Sequence, residues 1–423
     1  MGDHRQMLSE MGLDVGLHDR LLAVQNTAYR NLIASRSNRP QGMRYFDGAV
    51  HASHGARIAE IRDAQRHGAK MIGTFCIYVP EEIILAAGAV PVALCGGTSF
   101  SIPYAERLYP RDICPLVKST LGLALADICP FGPIMDLAVG ETTCDAKKKV
   151  WDRLARGGHF HVLELPQKKN DRTRALWVAE VREFAERVEE LTGSPLHPDD
   201  VRKAIALMNR KRRLLQRLNE LRRLDPPPIS GLDALVVMQV ALIDAPARFC
   251  EALESLLDEL EERVAKGVSP FEQGIPRVLV AGCPSVLGNW KVHHLIETSG
   301  AAIVCDESCT GTRYFTHQVE ESGDGMDELI EAIADRYFRI DCSCFTPNTE
   351  RIEHVVELAR DYGADAVAQY ILQYCHTYNI EAMRVDEALS EAGIPTLRIE
   401  TDYSQEDTGQ LRTRVEALLE SLG

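Results

Sequence analysis

Twelve cysteines are spread through 423 residues: Cys76, Cys95, Cys114, Cys129, Cys144, Cys250, Cys283, Cys305, Cys309, Cys342, Cys344 and Cys375. A thiolate is a nucleophile and a soft metal ligand, so this many in one chain need a chemical account. The chain opens on MGDHRQMLSEMGLDVG, which is acidic and polar and lacks the apolar core of a secretory leader. No uninterrupted apolar run approaches the roughly 20 residues of a membrane helix. A cytoplasmic location is expected, where thiols stay reduced and structural disulfides are rare. Packing, catalysis and metal binding are the uses that remain.

Position within strand–helix units separates these uses. Cys114 precedes Pro115 and the helix-like PLVKSTLGLALAD, and Cys144 lies between DLAVGETT and DAKKKVWDRL. Cys309 follows AAIVCDES, Cys375 follows ADAVAQYILQY, and Cys342 and Cys344 sit in IDCSCFTPNTE just before RIEHVVELARDYG. Cys76 lies four residues before Pro80, which opens PEEIILAAGA. Strand-to-helix loops of a parallel sheet all lie along one edge, so cysteines distant in sequence can meet there. Helix N-termini add partial positive charge, which favours thiolate and an anionic ligand. Cys250, inside ARFCEALESLL, reads as packing, as do Cys95 and Cys305; Cys283 is open to either reading. Paired CxxC spacings that would hold zinc are absent, and so is the compact ferredoxin run. Scattered ligands of this kind can be gathered only by tertiary structure.

The elements that must do the gathering follow from pattern. VPVALCG, MDLAVGETTC and HFHVLELP in the first half, and RVLVAGCP, AAIVCDES, ADAVAQYI and PTLRIETDY in the second, are apolar β-rich runs separated by amphipathic helices. That alternation predicts parallel sheets covered on both faces. Four regions are expected: a helical arm over 1–54, a first α/β domain over 55–170, a helical region over 171–270 and a second α/β domain over 271–423. Pro226 to Pro228 stop one long helix of the third region. The formal charge of −15 argues against nucleic acid or an anionic membrane as partner.

The segments GTFCIYVPEEIILAAGAVPVALCGG, YPRDICPLVKSTLG, VGETTCDAKKKVWD and VLELPQKK resemble the 2-hydroxyacyl-CoA dehydratase and benzoyl-CoA reductase family. VLVAGCPS, ESCTGTRYF, CSCF, QYCHTY and ETDYS extend the likeness from about Ala69 to the C-terminus and leave the arm unexplained. Within that family the chain is most similar to the double-cubane cluster proteins. The resemblance implies two Rossmann- or flavodoxin-like domains with a cluster at their seam. It carries the family's three cluster cysteines onto Cys114, Cys144 and Cys375. A second cubane needs three more thiolates, for which Cys76, Cys309 and Cys344 are chosen, with Cys342 and Cys129 in reserve. Cys342 could replace Cys344 if the segment is extended, since residues two apart then share a face.

The implied function is that of an oxygen-sensitive iron–sulfur oxidoreductase component, enzymatic and suited to anaerobic conditions. A separate homodimeric ATPase carrying its own [4Fe–4S] cluster would deliver low-potential electrons to a double-cubane [8Fe–9S] cluster that reduces small molecules. This chain should not bind ATP itself, and no GxxxxGK[ST] run occurs. A homodimer is expected by the same likeness. The alternatives are a 2-hydroxyacyl-CoA dehydratase subunit with one [4Fe–4S] cluster, a lyase, and a non-catalytic carrier of cluster or electrons. Lys147 to Lys149 would offset cluster charge or form a solvated helix face. His376 and Glu141 are the candidate proton-handling residues, while Glu81 and Glu82 read as favouring a helix dipole.

Overall fold

The structure, a computed structural model, describes residues 2–155 and 158–422. Two four-stranded parallel sheets organise it. The first comprises β1 (Met71–Thr74), β2 (Val90–Ala93), β3 (Leu137–Glu141) and β4 (Phe160–Leu163), in the order β2-β1-β3-β4. The second comprises β5 (Arg277–Gly282), β6 (Ala302–Glu307), β7 (Ala366–Leu372) and β8 (Thr396–Thr401), in the order β6-β5-β7-β8. The two orders are the same, strand for strand. This is the doubly wound α/β fold expected, with two flavodoxin- or Rossmann-like units. The strands β1, β3, β5, β6 and β7 are buried along their whole length, as strands covered on both faces should be.

The strand β1 is the element that pattern missed. Its four residues, MIGT, include Gly73, whose hydrogen faces Leu94: a Cβ there would lie 2.1 Å from the leucine Cδ1. Glycine weakens a strand's sequence signal, yet here it admits the close approach of β2's exit loop.

Before the first sheet come α1 (Gly2–Glu10), α2 (Val15–Tyr29), α3 (Met43–Ala52) and α4 (Ala56–Arg66). Within that sheet lie α5 (Glu81–Ala86), α6 (Ile102–Ala105), α7 (Pro115–Leu125) and α8 (Asp145–Leu154). The helices α9 (Asp171–Thr192), α10 (Pro198–Leu221), α11 (Gly231–Ala241) and α12 (Pro246–Ala265) join the sheets. The second sheet carries α13 (Lys291–Thr298), α14 (Thr312–Phe315), α15 (Met326–Phe338), α16 (Thr349–Asp361), α17 (His376–Glu391) and α18 (Thr408–Glu420). No helix among the described residues is long and apolar enough to cross a membrane.

The joining helices are core rather than linker. Every residue of α11 is buried, and a Cβ on its Gly231 would stand 2.5 Å from the Ile303 Cβ of β6. The arm is tied in as well. Arg39, in the loop SRSNRPQG, bridges Asp47 and Asp233 at 2.7 Å each, and Arg36 pairs with Glu297. Tyr29 meets Trp290 edge-on. The loop that reads as the arm's end is its anchor.

Glu81 and Glu82 do more than favour a helix dipole. Glu82 is fully buried and pairs with Arg212 of α10 at 2.6 Å, while Tyr337 of α15 donates to it at 2.8 Å. Helix α5 is thereby fastened to helices that follow it by more than a hundred residues.

Candidate functional site

The C-terminal edges of both sheets open on one cavity of about 430 Å³. Nine of the cysteines lie on its wall: Cys76, Cys95, Cys114, Cys144, Cys283, Cys309, Cys342, Cys344 and Cys375. Each has a simple local origin. Cys76, Cys95 and Cys144 follow β1, β2 and β3; Cys283, Cys309 and Cys375 follow β5, β6 and β7. Corresponding strands of the two sheets therefore carry a cysteine at corresponding loops. Cys114 stands at the N-cap of α7, and Cys342 and Cys344 lie shortly before α16, so the helix preceding the third strand of each sheet also begins near a thiol.

Three helices, α7, α8 and α17, start directly after Cys114, Cys144 and Cys375. The unpaired N–H groups of a helix's first turn favour negative charge on such a residue. The amides of Leu116 and Val117 face Cys114, that of Lys147 faces Cys144 and that of Tyr378 faces Cys375.

The thiols form two neighbourhoods. In the first, Cys375 shares hydrogen bonds with Cys114 and Cys283, which hold its thiol well below the usual range while burial opposes. Cys283 also accepts from the Leu372 amide at 3.4 Å, and Cys144 lies close enough to feel the Cys375 charge. In the second, the hydrogen bond from Cys344 draws Cys342 down to about 6, against burial, and raises Cys344 in turn. Cys76 and Cys309 adjoin this pair, and burial pushes Cys309 up to about 11. The segment holding Cys342 and Cys344 is a turn, not extended chain, so the turn brings the two sulfurs together instead of a shared strand face.

Two cations serve this wall. Lys147 projects between the neighbourhoods and pairs with buried Glu141; burial opposes its charge, but Glu141 and the thiols of Cys76, Cys95 and Cys144 outweigh it. Arg313 of α14 pairs with Glu307 and reaches within 3.9 Å of the Cys309 sulfur. Of the lysine run, Lys149 is exposed and Lys148 pairs with Asp145 at the surface, so the solvated-face reading holds for the last two only.

The structure thus brings the six sequence-chosen cysteines to one wall, together with Cys342. It keeps Cys129 away, packed beside Ile58, Ile61 and Met71, and buries Cys250 and Cys305 in separate cores. His376 is exposed at the rim as the first residue of α17. Glu141 lies behind Lys147 and off the wall. Cys95, which reads as packing from the sequence, and Cys283, which the sequence leaves open, both stand on the wall as well. Their signal was available: both lie within three residues after a strand end, as Cys76, Cys144, Cys309 and Cys375 do.

Among the described residues, no three donors converge as a single ion would require. They ring a volume instead, which suits a cluster whose ligands each bind a different iron. Soft thiolate donors, helix N-termini and two nearby cations all fit an anionic iron–sulfur group.

The family model described as 2-hydroxyglutaryl-CoA dehydratase, D-component, matches residues 76–422. YjiM of Escherichia coli (strain K12), provisionally named a dehydratase subunit, is 41% identical over 369 residues, 86% of this chain and 94% of that one. The (R)-phenyllactyl-CoA dehydratase beta subunit of Clostridium sporogenes is 25% identical over 86% of this chain and 94% of its own length. A benzoyl-CoA reductase subunit of Thauera aromatica is 24% identical over 81% of this chain and 87% of its own length.

Proposed function

The chain belongs to the 2-hydroxyacyl-CoA dehydratase family, and from that premise we propose that it is the reductive iron–sulfur component of an ATP-driven electron-transfer system. The observation that carries this is the ring of nine thiols about one cavity, drawn from both sheets. Cys114, Cys144 and Cys375, with Cys283 beside them, would hold one cubane. Cys76, Cys309 and Cys344, with Cys342 beside them, would hold the other. When bound, a double-cubane [8Fe–9S] cluster supplies low-potential electrons and can store more than one of them.

This chain's own part is to hold, balance and exclude. The helix N-termini and the Lys147 and Arg313 cations offset the charge added on reduction. The apolar residues of the wall, among them Ile77, Val117, Val286 and Leu372, keep the site dry. His376 at the rim would exchange protons with solvent, and Glu141 would set the charge of Lys147. A homodimeric [4Fe–4S] ATPase is the proposed electron donor, a second copy of this chain the proposed subunit partner, and a small, hard-to-reduce molecule the proposed substrate.

A dehydratase subunit with a single [4Fe–4S] cluster is the second reading, favoured by the names of the relatives. Anaerobic reconstitution with iron and sulfide analysis distinguishes them: about eight iron per chain is expected for two bridged cubanes and about four for one. A protein that takes up no iron sinks both. A cluster-loaded protein that turns over no small substrate, even with reduced ATPase and ATP, is a carrier instead.

A further inference from the structure

Below the cavity floor lies a group of buried ions that the proposed chemistry has not used. Lys211 of α10 has no exposed side-chain surface, and its Nζ has no hydrogen-bond partner. It sits between the rings of Phe249, at 5.7 Å, and Tyr314, at 5.0 Å. Its nearest carboxylate oxygen is Oε1 of Glu81, 3.7 Å away, one small side-chain adjustment beyond hydrogen-bond reach. Glu81 lies on the cavity wall and its side chain is 13% exposed. Tyr314, also on the wall, donates to the other oxygen of Glu81 at 2.6 Å and so leaves Oε1 facing the lysine.

The surrounding charges explain why one proton here is loosely held. Glu82 and the guanidinium of Arg212 form a close pair, the Tyr337 hydroxyl donates to the same carboxylate, and the charge of nearby Arg336 acts on it as well. From α12 the Cys250 thiol and the Phe249 ring face Lys211. With Lys211 charged, three cations stand against two carboxylates; with it neutral, the group balances. Burial holds the Lys211 ammonium below the usual lysine range, although Glu81 opposes this. The ammonium has one loose ion-pair partner and no hydrogen bond, and that partner is an acid that opens on the site.

We infer that Lys211 and Glu81 form a proton store and relay for the cavity, resting on the reductive reading above. The N–H bond of the ammonium breaks, the proton forms an O–H bond on Glu81 Oε1, and Glu81 passes it to the atom being reduced. Electrons come from the cluster, and the neutral amine regains its proton from solvent when electrons next enter the cluster, so that proton uptake accompanies reduction. Neither residue is a thiol ligand or adjoins one in sequence, so the pair couples protons to electrons without touching iron.

The test is the pH dependence of the loaded protein's midpoint potential, in the unaltered chain and in Lys211→Met and Glu81→Gln. Methionine suits the apolar slot between the two rings, and thermal melting together with iron content reports that each variant is folded and loaded. In the unaltered chain the potential is expected to fall by about 59 mV for each tenfold drop in proton activity. Both variants are expected to flatten that slope with iron unchanged. Equal slopes in all three overturn the relay. Failure of the cluster reading is seen separately, as absence of iron in the unaltered chain. The pair is then read in the apoprotein by nitrogen-15 lysine resonance. One lysine titrating below the others, missing in Lys211→Met and lower still in Glu81→Gln, supports it; a full set of ordinary lysines overturns it.

Discussion

Cys342 and Cys344 are two residues apart and chemically unequal. The hydrogen bond between them concentrates thiolate on Cys342, and Cys344 keeps the proton. In apoprotein, alkylation followed by peptide mapping should label Cys342 with a midpoint near pH 6, whereas Cys95, raised to about 11 by burial, stays unmodified at neutral pH. Cys342→Ser should remove the labelling step with that midpoint, while Cys375, whose thiol is also held low, keeps its own. Substitution reads the ligand sets directly. Cys114→Ala and Cys375→Ala should each lose iron and visible absorption, while Cys250→Ala keeps both and loses about 1 kcal/mol of stability from a small core void. Equal iron in the three variants contradicts the assignment. At this scale the sequence showed which thiols flank helices, because N-cap position is a local property. It could not show that Cys283 touches Cys375, since that contact depends on how β5 and β7 lie beside each other.

Helix α5 presents a different case, because its first turn belongs to a network closed by α10 and α15. Glu82→Ala would leave Arg212 and Arg336 buried without their carboxylate, at a cost of about 3–5 kcal/mol. Urea unfolding should register that loss, and a midpoint unchanged within error would mean that the arginines find other partners. Helix α7 depends on a close approach. A Cβ at Gly122 would lie 1.9 Å from the Ser101 carbonyl oxygen, so Gly122→Ala should displace α7 and with it the N-cap thiol of Cys114. Lower iron occupancy with a lowered melting temperature is the expected result. Strand–helix alternation was legible along the chain because apolar runs and their spacing follow from local periodicity. The partners of Glu82 were not legible, since the Tyr337 hydroxyl that binds it lies 255 residues away. Nor was β1, four residues long with a glycine inside.

Taken whole, the molecule is two sheets of one topology closed over a shared chamber and strapped by a helical arm. Within the arm His18 and His54 stack, with Nε2 and Nδ1 3.1 Å apart, and Phe131 of the first α/β unit meets the His54 ring edge-on. Burial lowers both rings below the ordinary histidine value, and the charge of His18 adds to the cost at His54. An unfolded arm therefore binds more protons than a docked one below about pH 6.5, so docking stability falls as pH drops through that range. Hydrogen exchange over residues 1–54 should accelerate in mild acid, and His54→Phe should blunt the effect; a profile insensitive to pH would remove the histidines from the account. The shared chamber also sets an order of events during synthesis. Cys375 is translated 231 residues after Cys144, a lag of roughly 10–50 s at ordinary ribosomal rates. Through that interval the early thiols have half a pocket and no lid. Iron delivered before the last strands emerge would meet an open bowl, so a cluster of the proposed kind would be loaded only on the finished polypeptide, and any oxidant present in the meantime would have first claim on the sulfur.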